Sequence, residues 1–298
     1  MAGSSKLIRK RIKSVTSTKK ITRTMEMVAT SKLQRVQGKV LASRPYQAAM
    51  KTLVAALSSA VESLAISALF EKRTPVKRAL VLLITSNRGL CGGFNANLVR
   101  KCREHVRQVE GEGAEVVLHV AGRKGLGAMR YAKVKVHEGR SDLTDRPTFA
   151  EAESVAAPLL KAFLEREVDR VDIVFAEFRS AGQQPPTAMT LLPIGAGETP
   201  AAAAGEQGHA APVDEYLFEP DAGEIFKALG AVYTTNAVYR MLLSSVASEM
   251  IARRVAMKSA TDNASDMERA LTRSYNKARQ ASITQEIAEI VGGAAALE

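Results

Sequence analysis

Neither glycine nor proline occurs between Val255 and Val291, nor between Ser4 and Gln37. The two residue types that most readily end a helix are thus missing near both ends of the chain, and nothing local excludes one long helix at each. No stretch approaches the roughly 18 to 20 continuous apolar residues of a membrane-spanning helix. The basic, polar start lacks both the apolar block of a secretory signal and the Arg- and Ser-rich character of a transit peptide, so the chain is expected to stay on the cytoplasmic side. Cysteine is scarce. Cys91 and Cys102 are the only two and stand eleven residues apart, which gives neither a disulfide framework nor a metal-ligand spacing, and both are read as reduced and structural. The four histidines, His105, His119, His137 and His209, lack the HExxH spacing of a helical zinc site, and no nucleophile-elbow pattern accompanies the serines. With no catalytic constellation, an enzyme is the runner-up class.

What is present is helical periodicity. From Ile225 the apolar positions Leu229, Val232, Tyr239, Leu243, Val246, Met250, Met257, Ala264, Leu271, Tyr275, Ile283, Ile287 and Ile290 recur mostly at three- and four-residue steps. A helix over that span is roughly 100 Å long, too long to pack wholly on one small globular core. A second stripe runs through Ile8, Ile12, Val15, Ile21, Thr22, Met25, Val28, Leu33, Val36 and Val40. Two such stripes separated by a large central segment predict an antiparallel helical hairpin projecting from a globular base.

The net charge of +11 is unevenly spread, because residues 6–44 hold twelve Lys and Arg against the single acid Glu26. Three readings follow: a solvated helix face, a nucleic-acid surface, or a surface for an acidic protein. No aromatic residue interrupts this run, which weighs against stacking on single-stranded bases.

A length of 298 residues with 46% apolar content allows one to three domains with a real core. The centre reads as strands alternating with helices. Strands are predicted at 78–85, 115–121, 133–137 and 170–178, helices at 96–109 and 149–167, and a last extended run at 187–193. This predicts a layered α/β domain with a mainly parallel sheet. The segment Gly195 to Val213 is rich in small residues and reads as an exposed loop, and Tyr216 to Glu219, closed by Pro220, as a short apolar patch. The expected organisation is an N-terminal helical region over 1–70, an α/β domain over 75–220 and a C-terminal helix over 221–298. Asn87 to Asn95 forms a Gly-rich turn between a strand and a helix, a context where backbone amides can hold phosphate. It matches neither GxGxxG nor the phosphate-loop pattern, so its glycines, like Gly122, Gly125 and Gly127, are read first as conformational.

Several strings together carry a resemblance. Lys20-Ile21-Thr22, Met25 to Ala29, Ser43-Arg44-Pro45-Tyr46, Arg88 to Gly93, Tyr216 to Pro220, Val255 to Lys258, Ala260 to Asn263 and Tyr275 to Thr284 occur in order along the chain. In this it resembles the gamma subunit of the bacterial F-type ATP synthase. The resemblance implies a central-stalk rotor subunit of the proton-translocating complex. Its hairpin would turn inside the ring of alpha and beta subunits, while its α/β domain, which a Rossmann-like fold describes, would lie near the c-ring with the epsilon subunit against it. It implies no catalytic site, no cofactor, no metal, no nucleic acid, and a peripheral place on the cytoplasmic face of the inner membrane through the c-ring. Carried over residue by residue, Met25, Arg253, Arg279 and Gln280 would contact a beta subunit, and Tyr216, Phe218 and Glu219 the c-ring. The C-terminal helix is expected to overrun its partner and end in a slim tip.

Overall fold

Arg78–Ile84 (β1) is the central strand of a five-stranded sheet, and every residue of it after Arg78 is buried. The computed structural model describes the backbone of residues 2–60, 68–195 and 222–295, and the side chains of 6–40, 42, 45, 49, 68–195 and 229–291. Glu115–Ala121 (β2) and Arg170–Ala176 (β4) pair with β1 in parallel on its two sides, Glu138–Arg140 (β3) extends β2 in parallel, and Pro186–Leu192 (β5) closes the other edge antiparallel to β4. The order is β3-β2-β1-β4-β5.

Strand periodicity divides β1 between two layers. Leu80, Leu82 and Ile84 face the helix Phe149–Leu164 (α4), whose Val155, Leu159 and Phe163 join the same cluster as Val238, Met241 and Leu242 of the long helix Ala222–Ala295 (α5). Val81 and Leu83 face the other way, onto Phe94, Leu98 and Cys102 of Phe94–Gly111 (α2) and Met129 of Arg123–Tyr131 (α3). Phe163, Leu80, Leu83 and Ile173 are fully buried, and each such side chain contributes about 1.5–3 kcal/mol by leaving water. The capping box of α4, Thr148 with Glu151, fixes where that helix starts. Leu164, the last residue of α4, is 49% exposed, because the helix stops there, short of the predicted 167, and the chain turns through Arg166 at φ +60°.

Ala2–Ala60 (α1) continues past Gly38 and Pro45. Two compact units result: Met1–Ser31 with Arg253–Glu298, and Lys32–Ala252. In the first, α1 and α5 run antiparallel. Thr16 meets Glu268 and Thr22 meets Thr261, so residue numbers fall on one helix as they rise on the other. Thr22, Ala29, Met257, Thr261 and Ala264 line the buried seam. Ile21 and Val28, expected in that seam, are 60% and 49% exposed. The inward positions one residue later hold a hydroxyl and a methyl, small enough for two backbones to approach closely. In the second unit Leu33 and Val36 of α1 pack with Leu243, Ala247, Met250 and Ile251 of α5.

Two central elements differ from expectation. The strand expected at 133–137 begins only at Glu138, because Lys133 at φ +54° and the bond from Val134 N–H to Met129 O close α3, while Val134 and Val136 pack beneath the sheet. The glycine-bearing stretch 123–131 forms α3. Residues 196–221, which include the apolar patch and nearly all of the Ala-rich loop, lie outside the described residues.

Candidate functional site

In doubly wound sheets, ligands sit beyond the carboxyl ends of the strands where the strand order reverses, here between β1 and β4. A cavity of about 380 Å³ lies beyond β1, lined among others by Ser86, Arg88, Arg123, Asp145 and Glu249. The first-turn amides of α3 would be its natural anion cradle. Each is taken by an oxygen of the chain itself: Arg123 N–H donates to Asn87 Oδ1 at 3.0 Å, Lys124 N–H to Ser86 O at 3.1 Å, and Gly125 N–H to Thr85 Oγ1 at 3.0 Å. Gly122 holds φ +113°, and a Cβ there would stand 2.3 Å from Thr85 O. The glycines therefore let α3 close onto the end of β1.

The Gly-rich turn is likewise self-satisfied. Ser86 Oγ donates to Arg88 O at 2.7 Å, and Asn95 accepts from Ser86 N–H and donates to Ser86 Oγ at 2.8 Å and Cys91 Sγ at 3.1 Å. Cys91 and Cys102 are buried free thiols, and burial pushes the Cys102 thiol up to about 12. These bonds make the turn a clasp between β1 and α2 rather than a phosphate loop.

Asp145 bridges Lys32 of α1 and Arg88 of the turn, the latter at 3.1 Å. Burial raises its carboxyl, but the bond and charge of Lys32 and the charges of Arg88 and Arg146 hold it below the usual range. A second polar node was not anticipated. Asp172, fully buried in β4, accepts from His105 at 2.9 Å, Arg170 Nε at 3.0 Å and Thr190 Oγ1 at 2.8 Å, while Arg170 also pairs with Glu112. Burial raises this carboxyl too, and the bonds from His105 and Thr190 and the charge of Arg170 outweigh it. A lone acid inside the apolar string RVDIVFA was the signal that could have found it. Elsewhere His119 and His137 stack with centroids 5.6 Å apart, and burial lowers His119.

On the helical pair, Glu268 of α5 accepts from Thr16 Oγ1 at 2.7 Å and from Lys19 Nζ at 3.0 Å, and these two bonds lower its carboxyl. Thr261 Oγ1 donates to Thr22 Oγ1 at 2.8 Å. Met25 is half-buried, Arg253 is only 9% exposed, and Arg279 and Gln280 are exposed neighbours on α5. Tyr216, Phe218 and Glu219 lie outside the described residues. Carrying the pairing of 16 with 268 and 22 with 261 onward sets Ala2, the first described residue of α1, level with about residue 282. The far end of α5 therefore outruns α1, and Ile283, Ile287 and Ile290 there are 48%, 56% and 71% exposed. Exposed apolar side chains on the pair also include Leu7, Met27, Val255 and Met267. Among the described residues no helix is long and apolar enough to cross a membrane.

A family model described as ATP synthase matches residues 4–297. The ATP synthase gamma chain of Gemmatimonas aurantiaca is 44% identical over 293 residues, covering 98% of this chain and 98% of that one. That of Leptospira biflexa is 42% identical over 290 residues, covering 97% and 98%. Among solved structures, a chain in the cryo-EM structure of the Euglena gracilis mitochondrial ATP synthase, OSCP/F1/c-ring, rotational state 3, aligns with a TM-score of 0.66 at 19% identity. The alignment covers 100% of this chain and 95% of that one, a likeness of fold. With a sheet of this topology, an antiparallel pair of terminal helices and full-length identity above 40%, the chain belongs to the ATP synthase gamma chain family.

Proposed function

We propose that the chain is the central-stalk rotor of a proton-translocating ATP synthase, turning within a ring of alpha and beta subunits and linking the c-ring to the beta-subunit nucleotide sites. The observation that carries this reading is the antiparallel pair of α1 and α5, with apolar side chains exposed unevenly around it and one helix outrunning the other. An asymmetric rod meets each surrounding subunit with a different face. Only such differential contact can shift a partner between conformations, since a rod touching every state equally would bias none. Each elementary charge crossing 100 mV delivers about 2.3 kcal/mol, so several crossings must accumulate before one nucleotide site is driven. The hydrogen bonds from Thr16 and Lys19 to Glu268 and from Thr261 to Thr22 tie the two helices together over residues 16–22 of one and 261–268 of the other, holding the pair there under that load.

In this reading the chain catalyses nothing itself. Arg279 and Gln280, exposed side by side, supply polar contacts to a beta subunit, with Met25 and Arg253 contributing nearer the middle of the pair. The basic face of α1 meets acidic partner loops, a better match than nucleic acid given its lack of aromatics. Tyr216, Phe218 and Glu219 contact the c-ring, and the epsilon subunit packs on the domain spanning 75–220, between the helical regions 1–70 and 221–298. The complex stands on the cytoplasmic face of the bacterial inner membrane, with this subunit peripheral to it.

The test mixes the chain with alpha and beta subunits from the same source and compares ATPase turnover with that of the Arg279→Ala, Gln280→Ala variant. A discrete complex with gamma-dependent turnover, reduced about fivefold or more in the variant, is expected. Failure to assemble with well-folded partners overturns the proposal.

A further inference from the structure

The cavity beyond the carboxyl end of β1 has no part in the rotor reading. It lies wholly within the unit Lys32–Ala252, between the segment 141–147 and the Leu242, Ser245, Val246 and Glu249 side of α5. Its volume of about 380 Å³ falls in the range that holds small organic ligands. Two polar groups in it are uncommitted. Ser245 is only 4% exposed, yet its hydroxyl makes no hydrogen bond among the described residues. A hydroxyl so enclosed is rarely left alone, and here its partner must come from what fills the cavity. Arg123 gives its backbone N–H to Asn87, but its guanidinium pairs with nothing among the described residues. The carboxylates of the wall are already engaged: Asp142 with Arg140, Asp145 with Lys32 and Arg88, and Glu151 with the start of α4, while Glu249 also has a partner. One positive charge is therefore left over where α3 begins.

We propose that this cavity binds a sugar phosphate. The phosphate goes to Arg123 and to the N–H groups of Arg88 that Asp145 leaves open, since one carboxylate cannot occupy all the donors of a guanidinium. Two such forks, one from the turn after β1 and one from the first turn of α3, suit an oxyanion with three terminal oxygens. A planar carboxylate is satisfied by one fork alone. The sugar lies further in. One hydroxyl bonds Ser245, others donate to lone pairs that Asp142 and Glu249 retain, and the C–H face rests on Leu242 and Val246. No aromatic side chain lines the cavity among the described residues, so a base would find nothing to stack on. The first amides of α3 are taken by the chain itself, so a pyrophosphate would find no cradle. Both features select a sugar phosphate over a nucleotide.

Isothermal titration of the full-length chain with ribose 5-phosphate and with glucose 6-phosphate tests this. Saturable binding of at least one, with Kd below about 1 mM, is expected, and ribose, glucose and inorganic phosphate should each bind at least about tenfold more weakly. Arg123→Gln should weaken the binding about tenfold and Ser245→Ala about threefold, with melting temperatures little changed because neither side chain bonds within the chain. Arg130→Gln, at the far end of α3, should leave the binding unaltered. No saturable binding of either ester up to about 10 mM overturns the proposal. Inorganic phosphate binding as well as the esters reduces the site to an adventitious ion only, and AMP binding about tenfold tighter than ribose 5-phosphate assigns it to a nucleotide. Equal weakening by Arg130→Gln, or indifference to both Arg123→Gln and Ser245→Ala, places the ligand elsewhere, and each of these outcomes also overturns the proposal. The readout is independent of assembly with ring subunits, so failure here leaves the rotor reading standing.

Discussion

Thr22 and Thr261 meet hydroxyl to hydroxyl across the helical pair, 2.8 Å apart, and Thr261 also lies 2.8 Å from Met257 O of its own helix. Thr22→Val is expected to destabilise the pair by about 1 kcal/mol, since Thr261 keeps its bond to Met257 O. The double change Thr22→Val, Thr261→Val should cost less than the sum of the two single changes, because no lone hydroxyl is then left in the seam. Urea denaturation followed by circular dichroism measures both, and strict additivity would show that the two side chains do not interact.

Glu268 gives the pair an acid sensitivity of predictable sign. Its carboxyl is lowered by the bonds from Thr16 and Lys19, so the stability it contributes is present above its unfolded value near 4.5 and is lost as pH falls through the lower folded value. Wild type should therefore exceed Glu268→Gln in thermal stability at pH 7, and the gap should close as the pH is taken below 4. A gap that persists in acid would assign the effect to packing.

The buried node at Asp172 should be the most sensitive polar position in the sheet. Asp172→Ala leaves Arg170 without its buried partner and removes the acceptor of His105 and Thr190, at a cost of about 3–5 kcal/mol. Guanidinium denaturation reports it. Because the native Asp172 carboxyl is lowered, the stability it contributes also fades as pH falls below its ordinary value of 3.8, and the cost of the substitution should shrink there.

Gly122→Ala and Gly127→Ala should move in opposite directions. The first places a methyl 2.3 Å from Thr85 O at a φ of +113°, and loss of about 3 kcal/mol or more is expected. The second adds a methyl to α3 with nothing within 4 Å and should stabilise by up to about 1 kcal/mol. Paired melting curves of the two variants decide it.

The long helices were legible because uninterrupted helical spacing is a signal that accumulates over many residues. β1 was legible because burial on both faces leaves only apolar residues to read. Of the neighbours Ile21 and Thr22, both in the expected stripe, only Thr22 entered the seam, and at Val28 the seam took Ala29 one position later, since close approach of the two helices favoured the smaller side chains, a choice that belongs to the pair and not to either helix. α3 was hidden by its glycines, which look like a loop until Thr85 is placed against them. β3 is three residues long and its position is set by its pairing with β2, so the alternation at 133–137 pointed to the wrong segment. The roles of Met25, Arg253, Arg279 and Gln280 rest on surfaces of other subunits, which no periodicity within one chain can encode.

The overrunning end of α5 has a consequence for biogenesis. A free chain carries Ile283, Ile287 and Ile290 into water with none of its described residues to cover them, so it leaves the ribosome with a sticky end. Newly made copies that outnumber their ring partners would self-associate or be degraded. Matched synthesis of the subunits is therefore written into the exposed isoleucines of one helix.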